Sequence, residues 1–199
     1  WGLADWEIFL DSPMAIETNR IYSKYSNIYN HQAQRRHKDC GNPFDLPNLH
    51  LTESTDASMN INKLQSGAII IAGSGMCTGG RIKHHLKHNL WRKHCHVIFV
   101  GFQASGTLGR AIVDGAEQIN LWGETINVNA TIHTVGGLSA HADQAGLCNW
   151  YQQFKNRPLV KLIHGEPDAQ KVLAKKLKND FNAPVSAARE GETLDLLKL

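Results

Sequence analysis

Two histidines stand at positions where an enzyme could use them. In "GGLSAHADQAG", residues 136–146, His141 lies among small residues with Asp143 two positions on. In "VKLIHGEPD", residues 160–168, His164 follows a short apolar run and precedes a glycine. Each falls where a strand is expected to end and a turn to begin, the place where α/β proteins bring side chains from neighbouring strands to a ligand. A neutral imidazole is the commonest metal ligand, and a protonated one can act as a general acid. Two histidines alone are not a zinc site, which needs at least three protein ligands, so these residues read as half a site. His133, inside "NATIHTV", reads as structural.

A second candidate is "AGSGMCTGGRIKHHL", residues 72–86. A buried strand would feed a loop holding Gly73, Ser74, Gly75, Met76, Thr78, Gly79 and Gly80, with a helix starting near Gly80 and Arg81 in its first turn. Such a loop can aim backbone N–H groups at an anion, with Ser74 and Thr78 hydroxyls and the Arg81 cation beside them. The same glycines also suit a tight turn that needs positive φ. No Gly-Lys-Ser/Thr follows, so this is not a Walker A loop. The helix beyond carries Arg81, Lys83, His84, His85, Lys87, His88, Arg92, Lys93, His94 and His96. With no acid among the histidines and a single cysteine, Cys95, beside the last two, this reads as a solvated basic face, able to attract phosphate chains, and not as a metal cluster.

These residues need elements to hold them. "WEIFLDSP" reads as a buried strand running into a helix that Asp11 or Ser12 caps and Pro13 opens. "MAIETNRIYSKYSNIY" has helical spacing, and "NHQAQRRHKDCGNPFDLPNLH" reads as loop or short irregular helices. "LTESTDASMNINKLQSG" reads as helix, "AIIIAGSG" as a fully buried strand, "HVIFVGF" as another, and "GTLGRAIVDG" as a short helix. The alternation argues for a doubly wound α/β sheet. From about residue 117, "EQINLWGETINVNATIHTV" alternates like a hairpin or meander with its turn at Gly123–Glu124. Helix, strand, helix and a strand-like tail follow. The change of rhythm places a domain boundary at about 116–118, giving domains of 1–116 and 117–199.

Composition bounds the rest. The chain has 199 residues, 42% of them hydrophobic and 20% charged, with a net charge of +3, as in an ordinary globular protein. The longest apolar runs are too short to span a bilayer, so no membrane partner is expected, and the N-terminus lacks the pattern of a signal peptide. Four widely spaced cysteines without a C-x-x-C pair fit a reducing cytoplasm. The chain opens on Trp1 and enters a strand almost at once, so an excised segment of a longer protein is expected.

"DSPMA", "SGMCTGGR", "GGLSAHAD" and "HGE", in that order, resemble the β-CASP group of metallo-β-lactamase-fold nucleases, and the bacterial RNA-processing members most. The likeness implies a Rossmann-like doubly wound β-CASP domain, followed by the returning C-terminal strand and helix part of a metallo-β-lactamase αββα fold. It implies a zinc-dependent ribonuclease with two zinc ions and single-stranded RNA as substrate. His141 matches the motif B histidine that contacts the scissile phosphate and assists proton transfer. His164 matches the motif C histidine, a zinc ligand. The loop matches one that faces the RNA, which makes Ser74, Gly75, Met76, Thr78, Gly79, Gly80 and Arg81 phosphate-binding candidates. The H-x-H-x-D-H signature that supplies most zinc ligands in this group does not occur in these residues. A partner is therefore expected in an N-terminal metallo-β-lactamase half, without which these residues would be inactive and would hold no zinc; a homodimer of the longer protein is a further expectation. The alternative is a non-catalytic RNA-binding β-CASP module.

Overall fold

The computed structural model describes residues 5–195. The first strand, β1 (Glu7–Leu10), buries Ile8 and Leu10 and leaves Glu7 exposed. Helix α1 (Pro13–Lys24) follows, with extended Ser12 as its cap accepting from the Ala15 amide, and Pro13 at the first position, where a missing N–H costs nothing. The polar stretch beyond holds a regular helix, α2 (His31–Cys40), which corrects the expectation of a loop or short irregular helices. None of its residues is buried; Asn30 accepts from the Ala33 amide at its start, and His37 and Lys38 sit in its last turn, where cations suit the dipole.

Strand β2 (Leu49–Leu51), helix α3 (Thr55–Ile61) and strand β3 (Ala68–Ile71) come next. The sheet order is β2-β1-β3 with both pairings parallel, so the chain winds to one side of β1 and then crosses to the other. Helix α4 (Ile82–Asn89), strand β4 (His96–Phe99), helix α5 (Leu108–Val113) and the antiparallel hairpin β5 (Gln118–Leu121) and β6 (Glu124–Asn127) lead to β7 (Thr131–Thr134). β7 leaves the hairpin and pairs in parallel with β4, so the alternating segment is not one meander. The hairpin turns on Trp122 and Gly123, one residue earlier than expected, because a two-residue loop needs positive φ at both central positions and these two have it.

β3 and β4 are not buried on both faces as their apolar runs imply. Ile71 is 50% and Ile98 59% exposed, whereas Phe99 is buried. An apolar run leads to two-sided burial only where both faces are covered.

The chain divides into two compact units, residues 1–138 and 139–199. In the first, Leu86, Leu90, Phe99, Ile112, Ile119 and Leu121 form one core from α4, β4, α5 and β5. The second contains helix α6 (Gln144–Tyr151), strand β8 (Val160–Leu162), helix α7 (Pro167–Phe181) and strand β9 (Val185–Ala187), with β8 and β9 parallel. Its core is Cys148, Tyr151, Leu177 and Ala183.

Leu90 has no exposed surface, and its carbonyl accepts from the Asn129 and Ala130 amides. Leu90→Ala removes the side chain and leaves those bonds, so urea unfolding is expected to show a loss of about 2–5 kcal/mol. A loss under about 1 kcal/mol would mean that Leu90 is not central to the first core.

Candidate functional site: a loop on a buried carboxylate and two exposed histidines

In the order β2-β1-β3 the winding reverses between β1 and β3, and the carboxyl ends of strands at such a point are where open α/β sheets take ligands. β1 delivers Asp11 there and β3 delivers the loop of residues 72–81. The Asp11 carboxylate is fully buried. Its Oδ1 accepts from Arg81 Nη1 at 2.7 Å, and its Oδ2 accepts from Ser58 Oγ at 2.6 Å and lies 2.6 Å from His85 Nε2. Burial pushes the Asp11 pKa up, but the bonds from Ser58, His85 and Arg81 outweigh it and hold the carboxyl below its ordinary 3.8.

Arg81 also donates from Nη1 to the Thr52 carbonyl at 2.7 Å and from Nη2 to the Glu53 carbonyl at 2.8 Å. Its guanidinium therefore ties the start of α4 to the end of β1 and to the connection between β2 and α3. The basic face shrinks too. His85 and Arg92 are buried, Arg92 donating to the Leu64 carbonyl, Asn89 and Gln65, while Lys83, His84, Lys87 and His88 retain partial or full exposure. Arg81 and His85 are four apart and so share one face of the helical turn.

The loop between these anchors is tight. A Cβ at Gly80, where φ is +72°, would lie 2.5 Å from the Gly73 carbonyl oxygen, so only glycine fits. Gln103 Nε2 donates to the Gly75 carbonyl at 3.0 Å, and the Met76 carbonyl accepts from the Gly109 amide at 3.2 Å. Cys77 is buried, and burial pushes its thiol up to about 11, so it is no nucleophile here. The Ser74 and Thr78 hydroxyls stand 3.4 Å apart at the surface. Ser74, Gly75, Met76, Thr78, Gly79 and Gly80 are thus held together in one rigid turn.

In the second unit His141 is exposed just before α6, and its Nδ1 lies 3.3 Å from Ser139 Oγ. Asp143 is not its partner: it caps α6, accepting from the Gly146 amide at 2.7 Å. His164 follows β8, is exposed, and has left-handed backbone with φ +56°. Bulky residues rarely adopt that conformation, though histidine does so more readily than most. Among the described residues no group of three or more His, Cys, Asp or Glu side chains comes together as a metal site. An exposed imidazole such as that of His164 has the right chemistry for one zinc ligand, and the described residues bring no complete set together.

Asp11 was legible only as a possible helix cap, and Ser12 does that work. No spacing in the sequence ties Asp11 to Ser58 or His85, which are 47 and 74 residues away. His85 lay hidden in the histidine-rich run.

The chain belongs to the β-CASP family: the Beta-Casp domain profile matches residues 1–112, and that of the Zn-dependent metallo-hydrolase RNA specificity domain matches residues 125–188. Ribonuclease TTHA0252 of Thermus thermophilus is 38% identical over 185 residues, which cover 93% of this chain and 42% of that protein. Transcription termination factor FttA of Pyrococcus abyssi is 32% identical over 202 aligned residues, 98% of this chain and 31% of the relative. FttA of Methanococcus maripaludis is 28% identical over 93% of this chain and 31% of its own length. The chain thus spans well under half of these relatives.

Because folding lowers the Asp11 pKa, the charged carboxylate stabilises the fold above its ordinary value of 3.8, and that contribution disappears as pH falls through the lower folded value. Asp11→Asn should cost about 3–5 kcal/mol near neutral pH, since it leaves Arg81 partly buried without its counter-charge. Thermal unfolding between pH 7 and pH 3 should show the wild type losing more stability in acid than Asp11→Asn. Parallel losses would mean that Asp11 does not stay ionised in the fold.

Proposed function

We propose that this chain is part of a zinc-dependent ribonuclease that hydrolyses RNA phosphodiester bonds in RNA processing or decay. The observation that carries the reading is the pair of exposed histidines, His141 and His164, inside the stretch matched by the Zn-dependent metallo-hydrolase RNA specificity domain. The ribonuclease named among the relatives supports it. Residues 1–116 would be the β-CASP domain, for which the order β2-β1-β3 suits a doubly wound sheet, and 117–199 the returning metallo-β-lactamase segment.

His164 would hold zinc from the end of β8. Zinc supplies Lewis acidity and lowers the pKa of bound water. With Nδ1 of His141 turned to the Ser139 hydroxyl, Nε2 is the ring nitrogen left to meet a phosphate, hold a proton and pass it to the departing 3′ oxygen. Ser74, Gly75, Met76, Thr78, Gly79 and Gly80 would receive the phosphate backbone of single-stranded RNA through amides and hydroxyls, contacts that position a strand without reading its bases. Arg81 would serve that loop by fixing it to Asp11. The N-terminal metallo-β-lactamase half would supply the remaining zinc ligands. Four free cysteines fit the cytoplasm, and no helix among the described residues is long and apolar enough to cross a membrane.

In the full-length protein, His164→Ala should lower zinc content, whereas His141→Ala should keep the metal and lose rate by about 100-fold or more. Metal analysis beside single-turnover cleavage separates a ligand from a proton donor. Equal zinc loss in both would overturn the two roles.

The 199 residues by themselves should leave labelled single-stranded RNA intact with zinc present, since one ligating histidine cannot hold a metal centre. Metal-dependent cleavage by the pure chain would refute this. A full-length wild type that binds RNA but never cleaves it would favour the non-catalytic RNA-binding module.

A further inference from the structure

Trp122 occupies a position that its side chain makes costly. It is the first of the two turn residues between β5 and β6, with φ +52°, followed by Gly123 with φ +82°. Turns of this kind favour Asn, Asp or Gly, because a bulky side chain in left-handed backbone meets the neighbouring peptide. A strained residue persists where the structure around it over-determines it, and such residues gather at ligand clamps. Asn120 Oδ1 accepts from the Gly123 amide at 3.0 Å and locks the turn from below.

The indole is laid against α4. The Lys83 Nζ is 4.9 Å and the Lys87 Nζ 5.9 Å from its ring centre, and the His84 ring is 4.6 Å away at 34°. Even so, Trp122 is 53% exposed, so about half of its surface stays open to a ligand. The surroundings are positive. Glu124 is the acid against Lys87, at 2.6 Å, and Lys83, His84 and His88 stand nearby on α4. Burial, and then the charges of Lys87, His84 and His85, hold the His88 imidazole below its ordinary 6.5, against a smaller opposing pull from Glu124. Lys83 lies in the first turn of α4, three residues past Gly80, so the basic side chains begin close in sequence to the loop of residues 73–80.

We propose that Trp122, backed by Lys83, His84 and Lys87, is a stacking platform for an unpaired base of an RNA strand whose phosphates run along α4. It lies between the two family-matched stretches, 1–112 and 125–188. The chemistry required is an aromatic face for the base with ammonium groups beside it for the backbone, the pairing by which proteins hold single strands without reading sequence. A duplex offers no free base face to the indole. The proposal rests on RNA as the ligand, as in the proposed function, but not on cleavage.

The test uses the full-length protein with Trp122→Asn and Trp122→Phe, binding single-stranded oligouridine and a duplex RNA of equal length. Asn suits the turn better than Trp does, so the hairpin should survive, which melting temperatures would check. The expected result is about a tenfold or greater loss of single-strand affinity in Trp122→Asn, substantial recovery in Trp122→Phe, and duplex binding unchanged. If Trp122→Asn binds the single strand as tightly as wild type, or if single-strand and duplex binding fall together, the platform is overturned. A wild type that cleaves RNA while Trp122→Asn binds normally removes the platform and leaves the nuclease reading standing. A wild type that never cleaves, yet loses single-strand binding in Trp122→Asn, does the reverse.

Discussion

The buried Asp11 carboxylate is the group around which the first unit is arranged. A charge without solvent exposure survives only if its acceptor sites are filled, and Arg81, Ser58 and His85 fill them from α4 and α3. Three elements therefore share one point: the end of β1 brings the charge, α3 the hydroxyl, and α4 the imidazole together with the guanidinium of its capping residue. The loop between β3 and α4 has its end anchored by the same bonds. Its shape follows from that anchor and from Gly80, where a Cβ would meet the Gly73 carbonyl oxygen.

This arrangement divides labour along a single stretch of chain. Arg81 and His85 turn inward and build the fold, while Lys83, His84, Lys87 and His88 keep exposure along the same helix. Cations in that helix thus serve two purposes according to the face on which the helical period puts them. An ion pair such as Arg81–Asp11 is little screened by salt because it is buried, whereas the outer lysines act through water and weaken as ionic strength rises. Attraction of a nucleic acid would therefore be salt-dependent even though the platform that receives it is not.

The second unit is simpler and more open. Its core is small, and its two candidate catalytic side chains are exposed rather than cradled. His164 is carried in left-handed backbone directly after β8, and His141 on a loop whose next acid, Asp143, is committed to capping α6. Neither imidazole has a carboxylate partner in the hydrogen bonds of the described residues. The relatives named above are more than twice as long as this chain.

Much of this was legible in the residues. Pro13 after a capping Ser12, the 3.6-residue spacing of the helices, the glycine loop after an apolar strand, and His164 just past a strand end are local signals, because each depends on residues within a few positions of one another. His141 was expected at a strand end too, but it stands beyond a helical turn, directly before α6. The order of the four motifs carried the family. What sequence could not show depends on contacts between distant segments. α2 has no buried face to announce it, and β3 and β4 lost their expected two-sided burial because burial depends on what packs against a strand. β7 joined β4 and not its neighbour β6. Asp11 meets its partners 47 to 74 residues away, which makes Arg81 a structural clamp that no local spacing announces. Chemistry that rests on one residue type at one local position can be read from sequence. Chemistry that rests on a buried charge cannot, because only the fold decides which groups are removed from water together and must then satisfy one another.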